Sequence, residues 1–259
     1  MTNNQLRVLS IDFDFFQNVS PKTILKYYPD GVDLSTEMSK IVWSSRYQKY
    51  VLGCDEIKNV TINRELLDDI EYIIYNQEPE TECIIRQSHV HIYDAIMQHT
   101  KPDSKIIISH IDFHHDIKNE CHDVDCGNWL GFLLDNRKNC KFKWYTRETA
   151  LECYELYGAT QCAEFNLDSI INNQYDLVYL CRSDAWFPPH LDIYFDELVN
   201  ACYETFDTVS IEKCVQTPRS MRDIYESASL MDLMFEANMP NITNAMKGLK
   251  NNDCCHSTA

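Results

Sequence analysis

The side chains best suited to chemistry in this chain are carboxylates and imidazoles set two apart at the ends of apolar runs. SHIDFHHDI (residues 109–117) holds Asp112, His114 and Asp116 in an Asp-x-His-x-Asp pattern. In extended backbone, residues two apart share a face, so these three are expected to point one way and Phe113 and His115 the other. Two carboxylates and an imidazole converging at a strand end repel and desolvate one another unless a cation joins them. Asp12 and Asp14, in LSIDFDFF (residues 9–16), form a second pair of the same kind. Asp12, Asp14, Asp112 and Asp116 together balance the charge of two divalent cations, with His114 and one further histidine as neutral ligands. QSHVHIYDAIM (residues 87–97) offers that histidine. His89 lies just before a helical pattern, where a strand-to-helix loop would aim it at the site, and His91 competes with it. A donor set rich in carboxylate, poor in imidazole and free of thiolate favours Mn2+ or a similarly hard cation over structural zinc.

Such groups need strands that end together. RVLSIDF (residues 7–13), KIIISHIDF (105–113) and YDLVYLC (175–181) are short, nearly continuous apolar runs. Runs of that kind belong in a parallel sheet covered on both faces. Between them lie helical patterns. NRELLDDIEYIIYN (63–76) spaces Leu66, Leu67, Ile70, Ile73 and Ile74 along one face, with Asn63 as N-cap. HIYDAIMQH (91–99) and NWLGFLLDN (128–136) read the same way, and residues 191–206 and 220–237 make two long C-terminal helices. The alternation predicts an α/β chain: a three-layer α/β/α sandwich with a mostly parallel central sheet, binding ligands outside the carboxyl ends of its strands. No repeat or boundary interrupts it, so one domain over residues 1–259 is expected, with a flexible tail over about 248–259.

The net charge of −17 argues against nucleic acid, which requires basic patches, and suits a cationic partner. No apolar run is long enough to span a bilayer, and MTNNQLR lacks the apolar stretch of a signal peptide. A cytoplasmic location and no membrane partner are expected. The 12 cysteines lack paired zinc-ribbon spacing and are expected to be reduced, with the adjacent Cys254 and Cys255 in the tail.

Asp112-Phe113-His114-His115-Asp116 resembles the Asp-x-His-x-Asp motif of the arginase, agmatinase and deacetylase superfamily. Asp12-Phe13-Asp14 resembles that superfamily's Asp-x-Asp motif, and His89 its upstream helix-start histidine. The order differs, because the Asp-x-Asp strand comes first here. With the Asp-Phe-Asp-Phe-Phe opening and CGNWL (residues 126–130), the chain is similar to a smaller arginase-like family, over roughly residues 7–190. Its characterised members are peptide arginases, which convert arginine in ribosomally made precursor peptides to ornithine. The resemblance implies an arginase-like fold with rearranged strand order, two Mn2+ per chain, and an arginine-containing precursor peptide as partner. It also implies hydrolysis of a guanidinium group to urea and an amine, by a water that two cations about 3.5–4 Å apart acidify.

Further roles follow from the resemblance. The departing amine must gain a proton, and His122 resembles the arginase proton-shuttle histidine in placement. Asp184, in CRSDAWFPPH (residues 181–190), stands where arginases place a guanidinium-binding Glu, or else serves as an N-cap or a partner of Arg182. Trp186 would wall the substrate pocket, and Asn128 would hydrogen-bond substrate backbone or cap the helix that begins there. Arginase relatives often form trimers or hexamers, so a homo-oligomer is among the expectations.

Three other readings stay open. A small guanidine or an acylated amine could be the substrate of the same fold. Asp-x-Asp after a strand also opens the haloacid-dehalogenase phosphatases, with Asp12 as nucleophile, although Phe16 stands where a Thr normally follows. A metal-stabilised protein could also bind basic peptides on its acidic face without chemistry.

Overall fold

The three apolar runs become neighbours in one sheet. A computed structural model describes residues 5–28, 33–49, 54–118, 123–153, 156 and 158–252, with side chains described only up to residue 238. The strands are β1 (Gln5–Asp12), β2 (Gln17–Asn18), β3 (Thr61–Ile62), β4 (Glu82–Arg86), β5 (Lys105–Ile111), β6 (Cys140–Tyr145), β7 (Ala163–Glu164), β8 (Leu177–Cys181) and β9 (Val209–Ile211). The helices are α1 (Pro21–Tyr27), α2 (Thr36–Arg46), α3 (Cys54–Lys58), α4 (Arg64–Tyr75), α5 (His91–His99), α6 (Trp129–Asn136), α7 (Asp192–Thr205) and α8 (Met221–Asn252). Seven strands form the main sheet in the order β7-β6-β5-β1-β8-β4-β9, and every pairing in it is parallel. β2 and β3 make a separate antiparallel pair.

Pleating sends alternate residues of the central strands to opposite faces. Leu9 and Ile11 of β1, Val178 and Leu180 of β8, and Cys83 and Ile85 of β4 pack with Leu67, Ile70 and Ile74 of α4 and Phe195 and Leu198 of α7. Leu6 and Val8, Leu177 and Tyr179, and Ile84 instead pack with Ile92 and Ile96 of α5 and Trp129, Leu130 and Leu133 of α6. Both faces are covered, and the fold is the three-layer α/β/α sandwich expected of the sequence. A third cluster joins Ile24 and Tyr27 of α1, Trp43 of α2 and Ile57 of α3 to Ile224 and Ala228 of α8.

Two features depart from the sequence reading. The sheet has four more strands than the three apolar runs: β4, β6, β7 and β9. β4, β7 and β9 are five residues or shorter, and β6 is half-exposed along most of its length, as strands near a sheet edge are. The last helix runs to Asn252, well beyond residue 237 and through part of the expected tail. Cys254 and Cys255 lie outside the described residues. The nine described cysteines are all free thiols, and among the described residues no helix is long and apolar enough to cross a membrane.

Asn63 caps α4 as its position suggests, its Oδ1 accepting from Leu66 N at 3.3 Å. Asn63→Ala should lower stability by about 1 kcal/mol, read as a reduced urea midpoint with unchanged slope.

Candidate metal centre

Strand register brings the first acidic groups together. β1 and β5 pair with Ser10 opposite His110 and Ile11 opposite Ile111, so Asp12 and Asp112 leave neighbouring strands side by side. β8 flanks β1 on the other side, with Cys181 opposite Asp12. β4 lies next to β8, and its connection to α5 delivers His89.

The remaining groups arrive by turns, not by strand alternation, which corrects the sequence reading. After Asp12 the chain enters a 3-10 turn, Phe13–Phe16, that carries Asp14. Asp12 Oδ1 accepts from Asp14 N at 3.1 Å. Phe13 anchors the turn edge-on to Phe187 and Phe195, with ring centroids 4.6 and 5.1 Å away. β5 likewise ends at Ile111, and Asp116 has φ of 53°, in the left-handed region. The first turn of α6 holds it there. The Asp116 carbonyl accepts from Leu130 N and Gly131 N at 3.0 and 3.1 Å, and its Oδ2 accepts from Trp129 Nε1 at 2.6 Å.

The result is two donor groups joined by one carboxylate. In the first, His89 Nδ1 lies 3.1 Å from Asp12 Oδ2, 3.1 Å from Asp112 Oδ2 and 3.4 Å from Asp116 Oδ2. His110 Nε2 lies 3.4 and 3.6 Å from the same Asp112 and Asp116 oxygens. In the second, His114 Nδ1 lies 2.9 Å from Asp14 Oδ2 and 3.5 Å from Asp112 Oδ1. All these groups are buried except His114, which is half-buried. The six side chains expected at a metal site, Asp12, Asp14, His89, Asp112, His114 and Asp116, are therefore brought together. His89, not His91, faces the cluster, and His91 is exposed on the first turn of α5.

The chemistry of these donors fits a cation. Among the described residues, Asp14 Oδ2, Asp112 Oδ2 and His110 Nε2 are buried without a hydrogen bond. Each such orphan costs about 1–3 kcal/mol. Ligand atoms around an ion at about 2.0–2.2 Å sit roughly 3.0–3.6 Å apart, which is the spacing found here.

The electrostatics agree. Burial, with the Asp12 charge adding, pushes the Asp14 carboxyl up to about 8. Burial and the Asp112 charge also raise Asp12, and they raise Asp116 well above the carboxylate range. Asp112 goes the other way: burial opposes its charge, but hydrogen bonds from His114 and His89 win and hold it well below that range. Burial works against a charged His89, yet the Asp112 and Asp12 carboxylates outweigh it and raise that ring. Burial lowers His110 to about 3, so this ring is neutral. The metal-free cluster thus keeps protons that divalent cations would displace. Cys181 lies beside Asp12 and His89, and in the metal-free cluster burial holds its thiol well above its ordinary value.

The substrate-side expectations need revision. Asp184 presents no carboxylate to the site. It is fully buried, its Oδ1 taken by Arg182 Nε and its Oδ2 by Thr36 Oγ1 at 2.7 Å and Arg182 Nη2 at 3.0 Å. Arg219 adds to the clamp, donating to the carbonyls of Asp184 and Phe187 at 2.7 Å each and pairing with Asp192 at 2.6 Å. The guanidinium groups that Asp184 meets are the chain's own. Asn128 is also fully buried, accepting from Asp125 N at 2.8 Å and donating to Asp123 O at 3.0 Å. Its side chain makes no capping hydrogen bond to α6 and is engaged by the loop before it. His122 lies outside the described residues.

Trp186 does border the site, its ring 5.2 Å from that of His114. The two line a small cleft with Asp14 and Gln17, walled by Val19, Ile24, Tyr28 and Phe113. Gln17 braces this cleft. Its Nε2 donates to the carbonyls of Asp14 and Trp186 at 3.2 and 2.9 Å, and its Oε1 accepts from Tyr28 at 2.7 Å. Sequence reasoning missed Gln17, Ser10, Trp129 and His110. Only His110 left a signal: a histidine inside an apolar strand two residues before Asp112. With it the cluster holds three imidazoles, more than the imidazole-poor set expected.

Two outcomes test this description. Asp184→Ala breaks a buried ion network, so it should cost about 3–5 kcal/mol in chemical denaturation while metal stoichiometry stays unchanged. The second concerns pH. Asp14 rises from 3.8 to about 8, so between those values the metal-free fold holds a proton that the unfolded chain has lost. Its stability from this group therefore falls as pH rises through that window, and a cation that displaces the proton relieves the loss. The thermal shift produced by Mn2+ should grow from about pH 5 to about pH 8, and a flat response would argue against a cation at Asp14.

Comparison with protein-family models, with curated proteins and with solved structures gave no match in any of the three.

Proposed function

We propose that this cluster is the two-metal centre of an arginase-like hydrolase, which converts a peptidyl arginine of a ribosomally made precursor peptide to ornithine and urea with a pair of Mn2+ ions. The observation that carries the reading is the division of Asp112 between two donor groups, Oδ2 toward His89 and Oδ1 toward His114. A carboxylate split in this way would offer one oxygen to each of two cations. When bound, such a pair supplies an acidified water and a Lewis acid for attack on a trigonal carbon.

The cleft supports a cationic side chain as substrate. Asp14 and His114 border it, and Tyr28, Phe113 and Trp186 offer flat apolar walls. A guanidinium group stacks on such rings while its aliphatic stem packs against them. Trp186 and its neighbours thus take the substrate-holding role expected of Asp184. The net charge of −17 would gather basic peptides, and the free thiols fit a cytoplasmic location. The phosphatase reading fares worse, because Asp12 is buried and turned toward His89.

Incubation of the Mn2+-loaded protein with arginine-containing peptides should remove one cyanamide mass per converted arginine, with urea released in equal amount. No mass change on any peptide, with metal demonstrably bound, would remove the hydrolase reading and favour a peptide-binding one. Asp14→Ala and Asp112→Ala should lose metal and turnover together. Trp186→Ala should keep metal and raise KM about tenfold, the loss of one desolvated cation–π contact.

A further inference from the structure

The two donor groups differ in kind, and His110 makes the difference. It sits within β5 opposite Ser10, fully buried, with its ring edge-on to Trp129 of α6 at 5.4 Å. Ser10 Oγ lies 2.7 Å from His89 Nε2 and 3.3 Å from His110 Nδ1. A hydroxyl oxygen has two lone pairs, so it can accept one N–H from each ring. Once a cation displaces the proton that His89 Nδ1 shares with Asp12 Oδ2, that arrangement leaves His89 Nδ1 and His110 Nε2 as free lone pairs, both beside Asp112 Oδ2 and Asp116 Oδ2. A proton on His110 Nε2 instead would be stranded, since that atom is buried without a hydrogen bond.

The spacing of the four atoms is that of one coordination shell. The two nitrogens lie 3.1, 3.4, 3.4 and 3.6 Å from the two oxygens. A tetrahedral ion with bonds of about 2.0–2.2 Å has ligand edges of about 3.3–3.6 Å. Two imidazoles and two carboxylates also neutralise one divalent charge without help.

We propose that His110 Nε2 is a metal ligand, completing with His89, Asp112 and Asp116 a four-coordinate, nitrogen-rich inner subsite. The outer subsite, with Asp14, Asp112 and His114, borders the cleft and is richer in oxygen. Such an inner subsite presupposes the two-metal reading above. It changes the metal preference, because imidazole ligands suit zinc, cobalt or iron, whereas carboxylates suit manganese. The inner subsite fills first and takes a borderline cation, so the centre loads in order and accepts two different metals.

Co2+ and Zn2+ are the probes, applied to the full chain. Titration with Co2+ should give the intense visible absorption of a four-coordinate ion at the first equivalent and only weak absorption at the second. X-ray absorption on protein holding one equivalent of Zn2+ should count two imidazoles per zinc, a measurement that needs no variant. His110→Gln should weaken the first Co2+ about 100-fold and abolish its intense band. Ser10→Ala should weaken it roughly 10–100-fold and keep the band, because the ligands remain while their orientation is lost. One imidazole per zinc, or an unchanged first equivalent in His110→Gln, would overturn the assignment of His110 while leaving a metal centre in place. A chain that binds neither cation removes the two-metal reading itself.

Discussion

Four carboxylates buried within a few ångströms of one another are the constraint around which this molecule is arranged. Removing one carboxylate from water is already costly, and gathering several multiplies the repulsion. The sandwich meets that cost with rigid elements. Adjacent parallel strands fix Asp12 beside Asp112 through backbone register alone. An aromatic-anchored 3-10 turn carries Asp14, and the first turn of α6 grips Asp116 by both its carbonyl and its carboxylate. None of these devices lowers the repulsion. They prevent the carboxylates from escaping it, which is what a cation site requires and a purely structural core would avoid.

The same chain shows how a buried carboxylate is treated when it is structural. Asp184 stands at an equivalent place, just past the end of a central strand, and its sequence neighbourhood looked equally suited to a substrate. Two arginines fill its surroundings, holding its carboxyl below the ordinary value although burial alone would raise it. Its charge is fully answered by the protein. Asp12, Asp14 and Asp116 have no arginine or lysine partner among the described contacts, and the ionisable groups beside them are imidazoles and one another. That contrast in counter-charge separates the clamp from the candidate centre better than burial or position does.

How much was legible beforehand follows from how far each feature depends on local pattern. The apolar runs ending in acids revealed the central strands, and Asn63 with its spaced leucines and isoleucines revealed α4 almost to the residue. The six clustered acids and imidazoles could be named because their chemistry is improbable without a cation, even though the strand-alternation argument for their convergence was wrong in detail. β9 stayed hidden because a three-residue strand has no distinctive period, whereas β6, with Cys140, Phe142 and Trp144 alternating with lysines, carried a strand pattern too short to stand out beside the apolar runs. The role of Asp184 was half legible, because Arg182 stands two residues before it, whereas Arg219 and Thr36 reach it from separations that no local pattern encodes. Asn128 is held by Asp123 and Asp125 in its own loop, a turn without a distinctive sequence pattern.

His110 shows why the missed residues matter for chemistry. As a member of an apolar strand it reads as core, yet a neutral, fully buried ring beside Asp112 and Asp116 has no purpose in packing that an aliphatic residue would not serve better. Its nearest polar neighbour on β1, Ser10, also touches His89, so one hydroxyl governs the orientation of two rings from two different strands' ends. Behind that pair lies Trp129, packed against both imidazoles while donating to Asp116. The inner half of the cluster is thus walled by aromatic and hydroxyl groups, and the outer half, with Asp14 and His114, borders the cleft. Filled as proposed, such a cluster would hold one ion within the sheet and the other beside the cleft, which would divide holding the fold from doing the chemistry.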